Sequence, residues 1–191
     1  MEKLKDEFEK RFGQQADHIF FCPGRVNLIG EHIDYNGGRV LPCAINKGTW
    51  LAVSKNTDKV LRFHSLNFPE TAELHLQQSY TKTGKAWYNY PLGVVNEIIS
   101  GDHALSGMNL LFYGDLPVGA GLSSSASIEV VTTFALNEMF GLKLLKLDQV
   151  SLSKKVENTF IGVNCGIMDQ FAVEFGEKDR EILLNGDSIV Y

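Results

Sequence analysis

The sequence is poor in cysteine and in basic charge, and it holds no long apolar run. Its three cysteines, Cys22, Cys43 and Cys165, are far apart, odd in number and include no Cys-x-x-Cys pair. Neither a zinc site nor a disulfide framework is suggested, and buried thiols in a reducing cytoplasm are expected. Lysine and arginine (18) are outnumbered by aspartate and glutamate (23), leaving a formal net charge of −5. That balance argues against a nucleic-acid or anionic-membrane partner. No segment approaches the ~20 apolar residues of a membrane span. The charged start, Met-Glu-Lys-Leu-Lys-Asp, has no apolar stretch behind it, so no signal peptide is expected. There is no internal repeat, low-complexity tract or obvious linker. What is present is the material of a packed domain: 191 residues, 44% hydrophobic and 21% charged. That is enough for one domain, or one domain and part of another.

Leu4, Phe8 and Phe12 recur at helical spacing among Lys and Glu and predict a first amphipathic helix ending near Gly13. His18 to Cys22 reads as a strand stopped by Pro23. Further β-type runs are 39–45, 49–54, 60–65 and 72–77, the last with clean alternation. Residues 87–100 return to helical period, and 108–113 form the next strand. A glycine-rich loop follows. A long helix over 123–140 carries Ile128, Val131, Ala135 and Met139 on one stripe, widened by Val130, Phe134 and Leu136, so most of it should be buried. A second helix spans 148–160, a third starts near Ile167, and 180–191 reads as a hairpin around Asn185-Gly-Asp187.

Three constellations stand out from this background. The first is Pro23-Gly-Arg-Val-Asn-Leu-Ile-Gly-Glu-His-Ile-Asp-Tyr-Asn-Gly-Gly38, which places Arg25, Glu31, His32 and Asp34 within ten residues between glycines. Two carboxylates beside an imidazole suit a polyhydroxylated ligand, because ionised carboxylates accept hydrogen bonds from hydroxyls at about twice neutral strength. The plain alternative is a polar surface loop.

The second constellation is Leu116-Pro-Val-Gly-Ala-Gly-Leu-Ser-Ser-Ser-Ala-Ser-Ile128, set between a strand and a helix. Glycines let the backbone approach a ligand, and the helix start presents free N–H groups and a positive dipole end to an anion. The serines add hydroxyls for phosphate oxygens or a magnesium ion. A Walker loop would need a lysine that this loop lacks. A dinucleotide fingerprint would need a third glycine where Ser124 stands. The third constellation is Cys165-Gly-Ile-Met-Asp-Gln-Phe171, with Glu157 on the preceding helix. Taken singly, Asp169 could be a helix cap and Glu157 a solvated helix residue.

Together the three segments closely resemble the galactokinase family, within the GHMP small-molecule kinase superfamily that also holds homoserine and mevalonate kinases. Gly30-Glu-His-Ile-Asp-Tyr35 points to the sugar branch, and the serine loop is similar to the superfamily's second motif. The resemblance implies an α+β fold of the GHMP-kinase N-terminal type (ribosomal protein S5 domain 2-like) over 1–178. Residues 179–191 would then begin a ferredoxin-like C-terminal domain that is largely missing. It implies ATP-dependent phosphorylation of galactose at its anomeric hydroxyl, with Mg2+ as cofactor. Asp169 would be the catalytic base and Arg25 its partner. Glu31, His32, Ile33 and Asp34 would hold the sugar. Gly119, Ala120, Gly121, Leu122, Ser123, Ser124 and Ser125 would cradle ATP, with Ser125 and Glu157 as magnesium ligands. Ser65 is a further candidate nucleotide contact. Trp50 and Trp87 are candidates for stacking on adenine, against the alternative of core packing.

Two rivals share the fold: a kinase for N-acetylgalactosamine or another sugar, and a non-catalytic sensor of sugar and ATP. The full-length Ser123-Ser-Ser-Ala-Ser127 run, with Arg25 and Asp169 both present, favours the enzyme. The family's third motif, Gly-Gly-Gly-Phe-Gly-Gly, is absent, and so is a later sugar-contacting tyrosine. The remaining half is expected in cis or from a partner chain. The helix from Ser123 and the tail to Tyr191 are expected to carry apolar surface left for it.

Overall fold

The computed structural model describes residues 1–30, 33, 36, 38–117 and 119–185. Its frame is a five-stranded sheet in the order β1-β3-β6-β4-β5. The strands are β1 (His18–Asn27), β3 (Pro42–Asn56), β4 (Val60–Ser65), β5 (Ala72–His75) and β6 (Gly107–Gly114), with β2 (Arg39–Val40) lying apart from them. All neighbours pair antiparallel except β4 and β6, which run parallel. The chain leaves β5, crosses through helix α2 (Asn89–Ser100) and returns as β6 between β3 and β4.

Alternation along the central strands assigns the two faces. Leu51 and Val53 of β3, with Leu110 and Phe112 of β6, face the main helical layer. Ala52 and Leu111 face α1 (Glu2–Phe12), which lays Leu4 and Phe8 on them and ends at the left-handed Gly13. The helical layer holds α2, α3 (Ser124–Phe140), α4 (Lys146–Lys155) and α5 (Met168–Phe175). Between α4 and α5 the chain widens into a π-helix, Val156–Ile161. Among the described residues no helix is long and apolar enough to cross a membrane.

Helix α3 is enclosed rather than half-covered. Ser127, Glu129, Thr132, Thr133 and Asn137 are buried with the apolar residues, and most are tied down locally. Ser127 donates to the Cys22 carbonyl (2.9 Å), and Thr132 and Thr133 donate back to the carbonyls of Ile128 and Glu129 (2.6 and 2.9 Å). Because α2, α4, α5 and the sheet already cover it, α3 does not carry the exposed apolar surface expected of it. The exposed apolar residues lie elsewhere, at Leu28, Ile29, Val163 and Leu183 among others.

Pro23 does not stop β1, which continues to Asn27. β1 is an edge strand, and the register slips between Pro23 and Arg25, so proline sits where a missing N–H costs no ladder bond. The expected runs 39–45 and 49–54 resolve into short β2 and one continuous β3. The expected helix over 148–160 starts at Lys146 and changes to π geometry at Val156.

The expected tail hairpin falls mostly outside the described residues. Its described part, β7 (Leu184–Asn185), pairs antiparallel with β2 instead. This pairing closes a second, small core of Val40, Val150, Ile167, Met168, Phe171 and Leu184.

Candidate active site

The serine loop leaves the end of β6 and runs into α3. Positive φ recurs at Gly119 (73°), Gly121 (66°) and Ser123 (55°), every second residue. Such alternation turns successive N–H groups to one side and makes a concave anion-binding surface. The first turn of α3 adds N–H groups that have no partner within the helix.

Strand β1 grips the loop from behind. The Arg25 backbone N–H donates to the Leu122 carbonyl (3.2 Å), and Arg25 Nη1 donates to the Gly121 carbonyl (2.6 Å). Gly24 permits this approach, since a Cβ there would lie 2.6 Å from the Leu122 oxygen and 2.7 Å from Leu116 Cδ2. With its carbonyls turned to Arg25, the loop presents its other side to the cleft.

The same guanidinium holds Asp169 at the start of α5. Arg25 Nε and Nη2 both reach Asp169 Oδ1, at 2.8 and 2.6 Å. Oδ2 has no hydrogen-bond partner among the described residues. The Arg25 side chain is 12% exposed and that of Asp169 27%, so the pair is half-desolvated but reachable. One cavity of about 240 Å³ is lined by Arg25, Asp169, Pro117 and residues 119–125.

A second cavity of about 170 Å³ adjoins it, and Ser124 and Ser125 line both. Its other walls include Ser65, Asn67, Phe68, Trp87, Tyr90 and Ile128. Trp87 is fixed by its indole N–H on the Glu70 carbonyl (2.9 Å) and lies nearly parallel to Phe68 (17°). Trp50 is on the opposite face of the sheet, against Phe21, and lines neither cavity. The Ser65 hydroxyl accepts from the N–H groups of Asn67 and Phe68 (3.0 and 3.3 Å), so it shapes the cavity wall through a local turn.

Glu157 is buried on the π-helix, next to Ser125. Burial pushes its carboxyl pKa up; the Ser125 hydroxyl opposes this, and the charge of Asp169 adds to it. Gln170 Nε2 donates to Glu157 Oε2 (2.7 Å). Cys165 is held through its backbone N–H on Asn158 Oδ1 (3.0 Å), and burial pushes its thiol to about 12, which makes it no nucleophile.

Among the described residues no three His, Cys, Asp or Glu side chains gather into a metal cage. A hydroxyl and a carboxylate side by side are nevertheless the hard-oxygen donors that suit magnesium, which keeps most of its shell for water and phosphate.

Glu31, His32 and Asp34 lie outside the described residues. Ile33 is 40% exposed, and its carbonyl accepts from the N–H groups of Asn36 and Gly38 (both 3.0 Å). The base of this loop is closed by backbone bonds between Leu28 and Leu41 and between Leu41 and Ile29 (3.0 and 3.1 Å).

The glycine–serine loop and the Arg25–Asp169 pair sit on a mixed sheet covered by helices, and the fold is that of the GHMP kinase N-terminal domain. Residues 89–177 match the family model for the GHMP kinases N terminal domain, and residues 6–55 match the galactokinase galactose-binding signature. The chain belongs to the galactokinase family. It is 48% identical to the galactokinase of Streptococcus suis over 100% of its own length and 50% of that protein. It is 47% identical to the galactokinase of Clostridium tetani over 99% of its own length and 48% of that protein. The crystal structure of Lactococcus lactis galactokinase complexed with galactose superposes with a TM-score of 0.94 at 39% identity, covering 100% of this chain and 50% of that one. The chain thus spans about half the length of the relatives it matches.

Sequence reasoning overlooked Asn67, Phe68 and Tyr90 on the second cavity, and Gln170 behind Glu157. Aromatic residues around Trp87 were a readable signal for the first three. Gln170 stands inside the motif run beside Asp169, and that adjacency was its only signal.

Proposed function

We propose that this chain is the sugar- and ATP-binding portion of an enzyme that phosphorylates galactose at its anomeric hydroxyl. The observation that carries this reading is the pair of adjoining cavities sharing Ser124 and Ser125. One is aromatic and sized for a flat base; the other holds a cation–carboxylate pair beside the loop. ATP laid across the shared serines would put adenine between Trp87 and the Ser65–Phe68 wall and its phosphates on 119–125. Its terminal phosphoryl group would then point toward Asp169 and Arg25.

Phosphoryl transfer of this kind needs positioning and charge neutralisation more than covalent help. Asp169 Oδ2 is the oxygen left to accept the proton of the attacking hydroxyl while Arg25 holds Oδ1. Arg25 also faces the charge that develops on the transferred group. Ser125 and Glu157 would hold Mg2+, which neutralises phosphate charge when bound. Glu31, His32, Ile33 and Asp34 would hold the sugar hydroxyls in line. Residues 1–178, with β7 packed against them, would form the domain that does this, and a second, ferredoxin-like domain would follow in cis or come from a partner.

Calorimetric titration of the purified chain with ATP and with galactose tests the reading. Asp34→Ala should weaken galactose binding by about tenfold to a hundredfold, the worth of a charged hydrogen bond of about 1.5–3 kcal/mol, and leave ATP affinity unchanged. Equal loss of both ligands would refute separate sugar and nucleotide sites.

A further inference from the structure

The root of the serine loop is held on both flanks, and one holder is a side chain outside the loop and its motif. Strand β6 ends at Gly114, and β4 runs parallel beside it up to the pair Ser65 and Phe112. Leu66 still donates its N–H to the Phe112 carbonyl (2.9 Å). In a parallel ladder the next residue of β6 to face this neighbour is two places along, at Gly114. The backbone of β4 does not follow it there. The Ser65 hydroxyl accepts from the N–H groups of Asn67 and Phe68 and turns the chain away.

Asn67 takes the strand's place with its side chain. The Gly114 N–H donates to Asn67 Oδ1 (2.7 Å), and Asn67 Nδ2 donates to the Gly114 carbonyl (2.8 Å). A primary amide offers the donor and acceptor of a peptide group, so it adds one more rung to the ladder. On the opposite flank Asp115 makes a matching clasp with β3. Its N–H donates to the Gly48 carbonyl (3.1 Å), and its Oδ1 accepts from the Gly48 N–H (2.7 Å).

The two clasps differ in what they join. Asp115 fastens the loop to the sheet and lines neither cavity. Asn67 fastens it to the wall of the aromatic cavity, which Asn67, Phe68 and Gly114 all line. Phe68, next along the chain, lies 6.3 Å from Trp87, whose indole is tied to the Glu70 carbonyl of the same segment. Residues 65–70 thus act as one wall, with Asn67 as its side-chain tie to the loop root. Asn67 is exposed, where water can serve Gly114 in its stead, so the clasp adds little to the stability of the fold. What it fixes is the spacing between wall and loop.

We propose that Asn67 is a positioning residue for the nucleotide: it locks the aromatic wall to the root of the serine loop, so that the base and phosphates of one molecule find their two subsites already at the right separation. This inference rests on the reading of the adjoining cavities as an ATP site. A ligand that spans two subsites gains from a fixed spacing between them. It loses that gain when one wall drifts, even though each subsite keeps its own contacts.

The test uses the purified chain with Asn67→Ala and with Asn67→Leu, which keeps the side chain's volume. Hydrogen–deuterium exchange followed by NMR should quicken at the Gly114 N–H by about tenfold or more in both variants, and stay unchanged at the Asp115 N–H. In calorimetry the Kd for ATP should rise about tenfold in both, the worth of ordering one or two side chains at a binding surface. Tripolyphosphate, which needs only the loop, should lose less than about threefold, because Asp115 and Gly48 still hold the root. Galactose affinity and the urea unfolding midpoint should stay near wild type.

Unchanged exchange at Gly114 would overturn the clasp. ATP affinity retained in both variants, tripolyphosphate weakened as much as ATP, or ATP and galactose weakened together would each overturn the positioning role. An unaltered chain that binds no ATP would refute the function proposed above, while exchange at Gly114 would still decide the clasp.

Discussion

Asp169 and Glu129 are two carboxyl groups of one helical layer, and the protein treats them in opposite ways. Asp169 opens to the cleft and keeps one oxygen on two guanidinium nitrogens, while the other has no hydrogen-bond partner among the described residues. Glu129 is sealed, and among the described residues it has no ion-pair partner and neither oxygen is hydrogen-bonded. A carboxyl group that must take a proton during reaction needs a fixed orientation and a free lone pair, and a charged partner supplies the first without consuming the second. The same side-chain chemistry thus meets a charged, open setting at one depth and a sealed one at another.

The contrast breaks most visibly in turnover. In a chain extended to the length of its relatives, Asp169→Asn should lower turnover ~100- to 10,000-fold, the usual worth of a general base, with ATP affinity retained. Glu129→Gln in the same chain should stay within a few-fold of wild type. A measured rate of sugar 1-phosphate formation that falls equally in both would mean that the two carboxyls share one role.

Removing the cation moves Asp169 toward the condition of Glu129. Arg25→Met leaves the aspartate unpaired and the Gly121 carbonyl unserved. Urea unfolding should show a loss of about 2 kcal/mol, since hydrogen bonds to charged groups are worth roughly 1.5–3 kcal/mol. An unchanged midpoint would mean that the pair serves orientation only.

Glu174 is the intermediate case, and its effect should be the smallest. It is partly buried on α5; burial pushes its carboxyl to about 7, and Lys146 works against that shift. The folded state therefore keeps a proton that the unfolded chain releases at the ordinary value of 4.5. The associated stability is fully present below pH 4.5, and is lost as pH rises to about 7. Glu174→Gln should accordingly raise the unfolding midpoint at pH 8 and leave it unchanged at pH 4. A gain of equal size at both pH values would point to packing rather than to the proton.

Much of this site was legible because it is local. Glycine and serine between Gly119 and Ser125 state their own backbone requirements, and a helix had to follow them. The sheet and the first helix were readable from alternation and from Leu4, Phe8 and Phe12. Pro23 misled because edge position and a register slip, which neutralise a proline, belong to the sheet and not to the strand. Trp50 and Trp87 could not be separated, since the face of the sheet that each occupies depends on register. Glu129 and Gln170 were invisible for a related reason. Each reads as an ordinary helix residue, and only the convergence of α3, α5 and the π-helix makes them neighbours.

The small core around Val40 has a mechanical meaning. Val40 lies at the foot of the 30–38 loop, Met168 and Phe171 flank Asp169, and β7 clamps the same cluster from the far end of the chain. The foot of that loop and the aspartate are thereby mounted on a common bearing, like the two jaws of a vice on one bed. Whatever shifts this core therefore shifts the root of the loop and Asp169 together.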